Sequence, residues 1–261
     1  MTRTGRNNTA VFLVSLFLVA AVALLVLFVT ELRIVSEVGS VDPTPEEWRA
    51  VAGALVTTVI SFTAAIVYIR LFRRSPSVPV FFVVLFLIFT AVDVSKLGQV
   101  MIPATAWRNV SPVLARVTIF GHMSGALALF AAGLYASVSR MQQHGIAMTI
   151  GLFVSLGLSW AVPIDTFSLP HNLVYTAGFQ PSLDVMIQVV FGLAVVNFLQ
   201  AAVTGRERRQ VMSALAVALV TLGREVLYYR TEVPVVIGGA VLFVAGVAVY
   251  AVENYRDYLV S

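Results

Sequence analysis

Residues 78–102 read VPVFFVVLFLIFTAVDVSKLGQVMI. From Val78 to Val92 the stretch is uncharged and apolar on every side, with no polar face to turn toward water, which is the pattern of a helix buried all round or in lipid. Asp93 and Lys96 then follow, three residues apart, before the apolar run resumes. A bilayer core about 30 Å thick is crossed by roughly 20 apolar helical residues. This one segment therefore has the length of a membrane span and carries an acid and a base inside it.

The rest of the chain repeats the pattern. Charge-free runs lie at 11–30, 50–69, 75–92, 117–139, 141–164, 185–205 and 233–252. The segment 210–229 is weaker, being uncharged only to Gly223 before Arg224 and Glu225. The expected fold is all-α, a polytopic helical membrane bundle of about eight spans forming a single transmembrane domain. The spans are placed near 11–30, 50–69, 78–102, 112–139, 146–163, 182–203, 210–229 and 233–252. The first is read as an uncleaved helix, because its apolar run is long for a signal sequence and no A-x-A-like site follows closely. No soluble output domain is expected after the last span.

Composition excludes the alternatives. Of 261 residues, 59% are hydrophobic and 11% charged, there is no cysteine, and the net charge is +4. A soluble domain is about a quarter charged, so a solvated surface cannot be assembled from this inventory. The arginines are scattered through short loops rather than gathered on one face, which argues against nucleic acid as a partner. The partners expected are the lipid bilayer, a small-molecule ligand and a separate signalling or assembly protein.

Basic residues set the orientation. With the N-terminus inside, Arg3, Arg6, Arg70, Arg73, Arg74, Arg140, Arg206, Arg208, Arg209 and Arg256 are cytoplasmic, which is 10 of the 17 bases. Glu31, Glu37, Asp42, Glu46 and Glu47 all fall in the first outer loop, and Trp48, Trp107 and Trp160 fall at the outer interface. An N-in, C-in topology follows. The ratio of 16 arginines to one lysine points to a GC-rich genome and hence to a bacterial inner membrane. In the first outer loop, Asp42-Pro43-Thr44-Pro45-Glu46-Glu47 resembles a helix start, with Thr44 as cap and Pro45 at the first position; the plainer reading is a polar lead-in to the second span.

An ionisable side chain at membrane depth costs at least about 2.5–3.5 kcal/mol, so it has a partner or a task. In this topology Asp93, Lys96, Arg116, His122, Asp184 (with Gln188 one turn on), Arg224, Glu225 and Tyr228 all lie in the outer half. The inner half is almost wholly apolar, with Asn197 the main exception. The one-sided distribution suggests a polar pocket open to the extracytoplasmic face, built from Asp93, Lys96, Arg116, His122, Asp184, Arg224, Glu225 and Tyr228. Two carboxylates set against Lys96, Arg116 and Arg224 leave a mild positive excess, which suits an anionic or zwitterionic ligand. The competing reading is structural: closed ion pairs that fix helix register, and arginines that snorkel to the headgroups. Gly121 and Gly125 flank His122 in a G-x-x-x-G spacing, which speaks for close helix packing.

Several chemistries are argued against. A metal site wants three or four His, Cys or carboxylate ligands, and His122, His144 and His171 are the only histidines. Neither a cofactor nor a catalytic motif is expected, since H-E-x-x-H, P-loop and Rossmann patterns are missing. Ser124 lies two residues from His122, too close in sequence for the pair to meet on one helix. Lys96 could carry a Schiff base, but beside Asp93 an ion pair accounts for it. The leading expectation is a receptor-like module that binds a small ligand from outside and passes a helix movement to a partner. The alternatives are a proton-coupled secondary transporter, and a membrane scaffold or assembly factor.

Overall fold

The computed structural model describes residues 44–72, 77–97, 111–137, 144–165, 180–205 and 208–260, together with Asn8, Phe12, Ser15 and Gly178. The expected span 11–30 thus lies almost wholly outside the described residues. Seven helices follow: α1 (Pro45–Leu71), α2 (Val78–Thr90), α3 (Ser111–Ser137), α4 (His144–Ala161), α5 (Gln180–Gly205), α6 (Arg208–Tyr229) and α7 (Val233–Val260). No strand occurs among the described residues.

Six of these segments are long and apolar enough to cross a membrane, including Arg208–Tyr229, whose span was the weakest in the sequence. The apolar part of α4, Gly145–Ala161, is shorter. The polar run Gln142-Gln143-His144 precedes it, and Pro163 follows its last residue by two positions, where proline's missing N–H and its ring end a helix. Among the described residues there are thus six segments of spanning length and this short helix. The last helix runs to Val260, eight residues beyond the expected 252.

Helix starts follow local chemistry. At α1 the Thr44 hydroxyl accepts from the Glu47 N–H (3.3 Å) and the Glu47 carboxylate accepts from the Thr44 N–H (2.7 Å). This is a capping box with proline at the first turn, so α1 begins five residues ahead of the apolar run at 50. At α2 the Ser77 hydroxyl alone accepts from the Val80 N–H, again with proline in the first turn.

Between lipid-facing helices there is no water-driven attraction, so van der Waals contact and small residues decide which surfaces meet. The G-x-x-x-G of α3 faces α2: a Cβ on Gly121 would lie 2.8 Å from the Val92 Cβ, and one on Gly125 would touch Phe86 and Phe89 at 3.7 Å. Gly133 sits against the Ala194 carbonyl of α5. The closest approach is α6 on α7, where a Cβ on Gly223 would be 2.5 Å from the Phe243 backbone nitrogen and one on Gly246 would be 2.7 Å from the Ala216 carbonyl. Phe86 is fully buried edge-on against both Phe191 and Phe243. It joins α2, α5 and α7 at the centre of the bundle.

The pairings Val92–Gly121, Phe82–Tyr135, Gly223–Gly239 and Ala216–Gly246 run in opposite directions along their helices. Consecutive helices therefore alternate, which brings the starts of α3 and α5 and the ends of α2, α4 and α6 to one end of the bundle.

Candidate functional site

The segment of α2 with its extension, α3 and α6 deliver the buried residues of the network to that end, and α5 adds Asp184. The span begun by α2 does not stay α-helical: Ala91–Val94 is a 3-10 turn, after which the helix resumes to Leu97. Within it the Ser95 N–H donates to the Val92 carbonyl, three residues back. The Ala91 carbonyl is approached instead by the Thr58 hydroxyl of α1 at 3.4 Å, while Thr58 also donates to its own Ala54 carbonyl. Tightening this turn sets Asp93 and Lys96 on the side facing α6. Next to them, the Ser95 and Thr118 hydroxyls meet at 2.6 Å and hold the start of α3 against α2.

Arg224 is the hub. Its Nη1 donates to Glu225 Oε1 at 2.9 Å, and its Nη2 stands 3.8 Å from Asp93 Oδ1. His122 Nε2 lies 3.0 Å from the same Glu225 Oε1. Lys96 Nζ donates to the Tyr228 carbonyl at 3.2 Å and sits 3.7 Å above the Tyr228 ring. The Arg224 guanidinium lies over the same ring at 4.6 Å, and the His122 ring packs on it at 4.0 Å. Tyr228 is thus the aromatic floor on which three nitrogen bases rest. The quadrupole of an aromatic face attracts cations, more strongly where water is excluded.

Asp93, Lys96, His122, Arg224 and Tyr228 are all buried, whereas Glu225 keeps 17% of its side chain exposed. Toward the surface, the Tyr229 hydroxyl donates to Asp184 Oδ1 at 2.8 Å, and Gln180 donates to the same oxygen at 2.8 Å. Tyr229 packs on Tyr228 and on His122. Tyr229, Asp184 and Gln180 consequently form a partly exposed rim that meets the buried floor at Glu225.

Seven of the eight residues singled out in the sequence belong to this assembly: Asp93, Lys96, His122, Arg224, Glu225 and Tyr228 in the network, and Asp184 in its rim. Arg116 does not join them. Its guanidinium lies 5.0 Å over the Trp160 ring of α4. Six residues separate it from His122, about 240° around the helix at 100° per residue. The floor then holds two cations, Lys96 and Arg224, against two carboxylates, Asp93 and Glu225. With His122 neutral the floor is balanced, and the positive excess expected from counting Arg116 is absent. Asp184 takes its intrahelical partner from Gln180, one turn earlier, and Gln188 is exposed.

Burial of charge at this depth is repaid only where geometry and hydrogen bonds are good. Here the repayment is incomplete. Asp93 Oδ1, Arg224 Nε and Glu225 Oε2 are buried and make no hydrogen bond among the described residues.

The opposite end of the bundle carries a smaller polar knot that charge counting did not find. The Tyr68 hydroxyl of α1 donates to the Val247 carbonyl (2.7 Å), and Tyr68 stacks on Tyr250. Asn254 donates to the Tyr250 carbonyl and accepts from Arg209 of α6. The signal was present as Tyr68 and Tyr250 within apolar runs, with Asn254 just past the end of the last one. A cavity of about 220 Å³ also opens between α2, α3 and α4, lined by Phe82, Phe89, Leu127 and Ile150 with Ser124 as its hydroxyl.

Compared with known protein families, curated proteins and solved structures, the chain has no match. Fold and composition define it as an all-helical, multi-pass membrane protein.

Proposed function

We propose that the chain is a receptor-like membrane module that senses a small charged or zwitterionic molecule at the end of the bundle bearing Arg224. In the topology read from the arginines, that end is extracytoplasmic, and the membrane is a bacterial inner membrane. The observation that carries the reading is the sharing of one oxygen. Glu225, at the exposed edge, holds both His122 and Arg224 on Oε1 while Oε2 makes no hydrogen bond among the described residues. A ligand that takes Glu225, or offers Arg224 a better acceptor, changes the partners of α2, α3 and α6 together. A ligand shifts a conformational equilibrium only by its differential affinity for the two states, and the uneven network supplies such a difference. The movement is then read by a separate protein. No catalytic role is assigned to these residues: the cluster pairs its bases with its acids and sets no activated nucleophile beside them.

A second reading, proton-coupled transport, is favoured by the carboxylates Asp93 and Glu225 beside His122, a set of groups that carries protons in membrane relays.

The test is a thermal-stability screen of the purified protein against amino acids, small carboxylic acids and polyamines. A ligand at about 100 times its Kd adds about 2.7 kcal/mol. The reading expects a shift that disappears in Asp93→Asn and in Arg224→Ala. Stabilisation that survives both substitutions would place the ligand elsewhere. Flux of the same ligand into liposomes would favour the transporter.

A further inference from the structure

We infer that His122, Glu225, Arg224 and Asp93 form a proton-controlled arginine switch, in which protonation of His122 transfers Arg224 from Glu225 to Asp93. The switch needs no ligand, so it stands or falls apart from the sensing reading.

The geometry is that of an unequally shared cation. Arg224 is bonded to Glu225 at 2.9 Å and stands 3.8 Å from Asp93. A hydrogen bond to a carboxylate is about 2.7–2.9 Å long, so a displacement of about 1 Å completes the second pair. The receiving groups are ready, because Asp93 Oδ1 and Arg224 Nε make no hydrogen bond among the described residues. The trigger sits on the same acceptor as the arginine, with His122 Nε2 at 3.0 Å from Glu225 Oε1. A neutral imidazole donates one hydrogen bond there. An imidazolium brings a full charge, satisfies Glu225 by itself, and repels Arg224 toward the remaining carboxylate. One proton enters the floor and none leaves, so its charge rises from balanced to a single positive.

The groups facing this exchange from each packed element are Asp93 and Lys96 from α2, His122 from α3, Asp184 from α5, and Arg224, Glu225, Tyr228 and Tyr229 from α6. Lys96 is held by the Tyr228 carbonyl and ring and does not compete for Glu225 Oε1. Asp184 is occupied by Tyr229 and Gln180.

The element that yields is the 3-10 turn Ala91–Val94, which contains Asp93. A 3-10 stretch inside a helix is a frequent site of hinge motion, because its hydrogen bonds are poorer and its rise is about 2.0 Å per residue against about 1.5 Å in an α-helix. Relaxing four residues to α geometry shortens the span by about 2 Å and turns Asp93 relative to α6.

The test uses the full chain in lipid bilayers. Replacing His144 and His171 by Gln, both remote in sequence from the cluster, leaves His122 as the sole histidine for ring-nitrogen NMR between about pH 8 and pH 5, the range in which histidine switches. The inference expects the neutral ring to become imidazolium within that range. It also expects Asp93→Asn to be mild at pH 8, with its effect on the unfolding constant growing about tenfold at pH 5, as for gaining a hydrogen bond to a charged group. That growth should vanish in His122→Gln. Where Asp93→Asn does not fold, Asp93→Glu serves: its longer arm closes the gap in advance, and the stability response to pH is lost. A ring that stays neutral at pH 5, an Asp93→Asn effect equal at both pH values, growth that persists without His122, or an Asp93→Glu protein with the parent's pH response would overturn the switch.

Discussion

Helix α6 meets α7 backbone to backbone, whereas α4 lies against α3 across a gap. At the first contact a Cβ on Gly223 would fall 2.5 Å from a backbone nitrogen; at the second a Cβ on Gly151 would find only Leu127, at 3.9 Å. The outward faces of both pairs are apolar, as lipid requires, so composition does not separate them. What separates them is where glycine falls on the helix. Gly223, Gly239 and Gly246 share a seam, while Gly145 and Gly157 of α4 meet nothing within 4 Å. Arg224, Glu225 and Tyr228 of the polar network stand on α6 of the tight pair, and the cavity of about 220 Å³ lies beside the loose one. Positioning of buried charge to within an ångström demands a rigid backbone, and the α6–α7 seam provides it for Arg224 and Glu225.

The largest break in this contrast is expected at the hub. Arg224→Ala leaves Asp93 and Glu225 facing each other without their shared cation, and removing one member of a buried ionic set costs about 3–5 kcal/mol. Reversible unfolding in mixed micelles measures it, and adding Glu225→Gln should recover part of the loss. Next comes Gly223→Ala, where the added carbon meets backbone that cannot step aside. Overpacking of this kind costs about 1–3 kcal/mol, and the same assay should show it. An unaffected Gly223→Ala protein would mean that the seam is looser than its distances. Tyr229→Phe removes one hydrogen bond from the rim, at about 0.5–1.5 kcal/mol, and should leave the α6–α7 seam unchanged by amide exchange. The smallest effect has the opposite sign. Gly151→Ala places a methyl in ordinary contact distance and restricts the unfolded chain, for a gain of about 0.4–1 kcal/mol in the same unfolding titration.

The convergence of Asp93, Lys96, His122, Arg224 and Glu225 was legible because depth is written in the sequence. Counting residues from the ends of apolar runs gives each charge a height, and the cost of burial implies that charges at one height find one another. Azimuth is less legible. Arg116 lies about 9 Å along α3 from His122 at 1.5 Å per residue, and it points toward α4 and Trp160, since six residues do not return a helix to the same face. The 3-10 turn was not legible at all: Ala91-Val92-Asp93-Val94 carries no breaker, and the tightening depends on Thr58 reaching the Ala91 carbonyl from another helix. The role of G-x-x-x-G in α3 was readable as packing, but its partner α2 was not. Gly238-Gly239 illustrates the same limit, because Gly239 touches Gly223 while Gly238 faces open space.

Helix α7, at 28 residues, is about 42 Å long at 1.5 Å per residue, and its contact with Gly223 is made at Gly239, close to one end. The arm from Gly239 to Val260 is about 31 Å. The glycine seam makes α6 and α7 a single stiff rod, so a tilt of only about 5° imposed at the charged end sweeps the far tip through about 3 Å. Under the proposed switch, mechanical gain of this kind would turn a hydrogen-bond exchange of ångström size into a displacement of about 3 Å at the opposite end of the bundle.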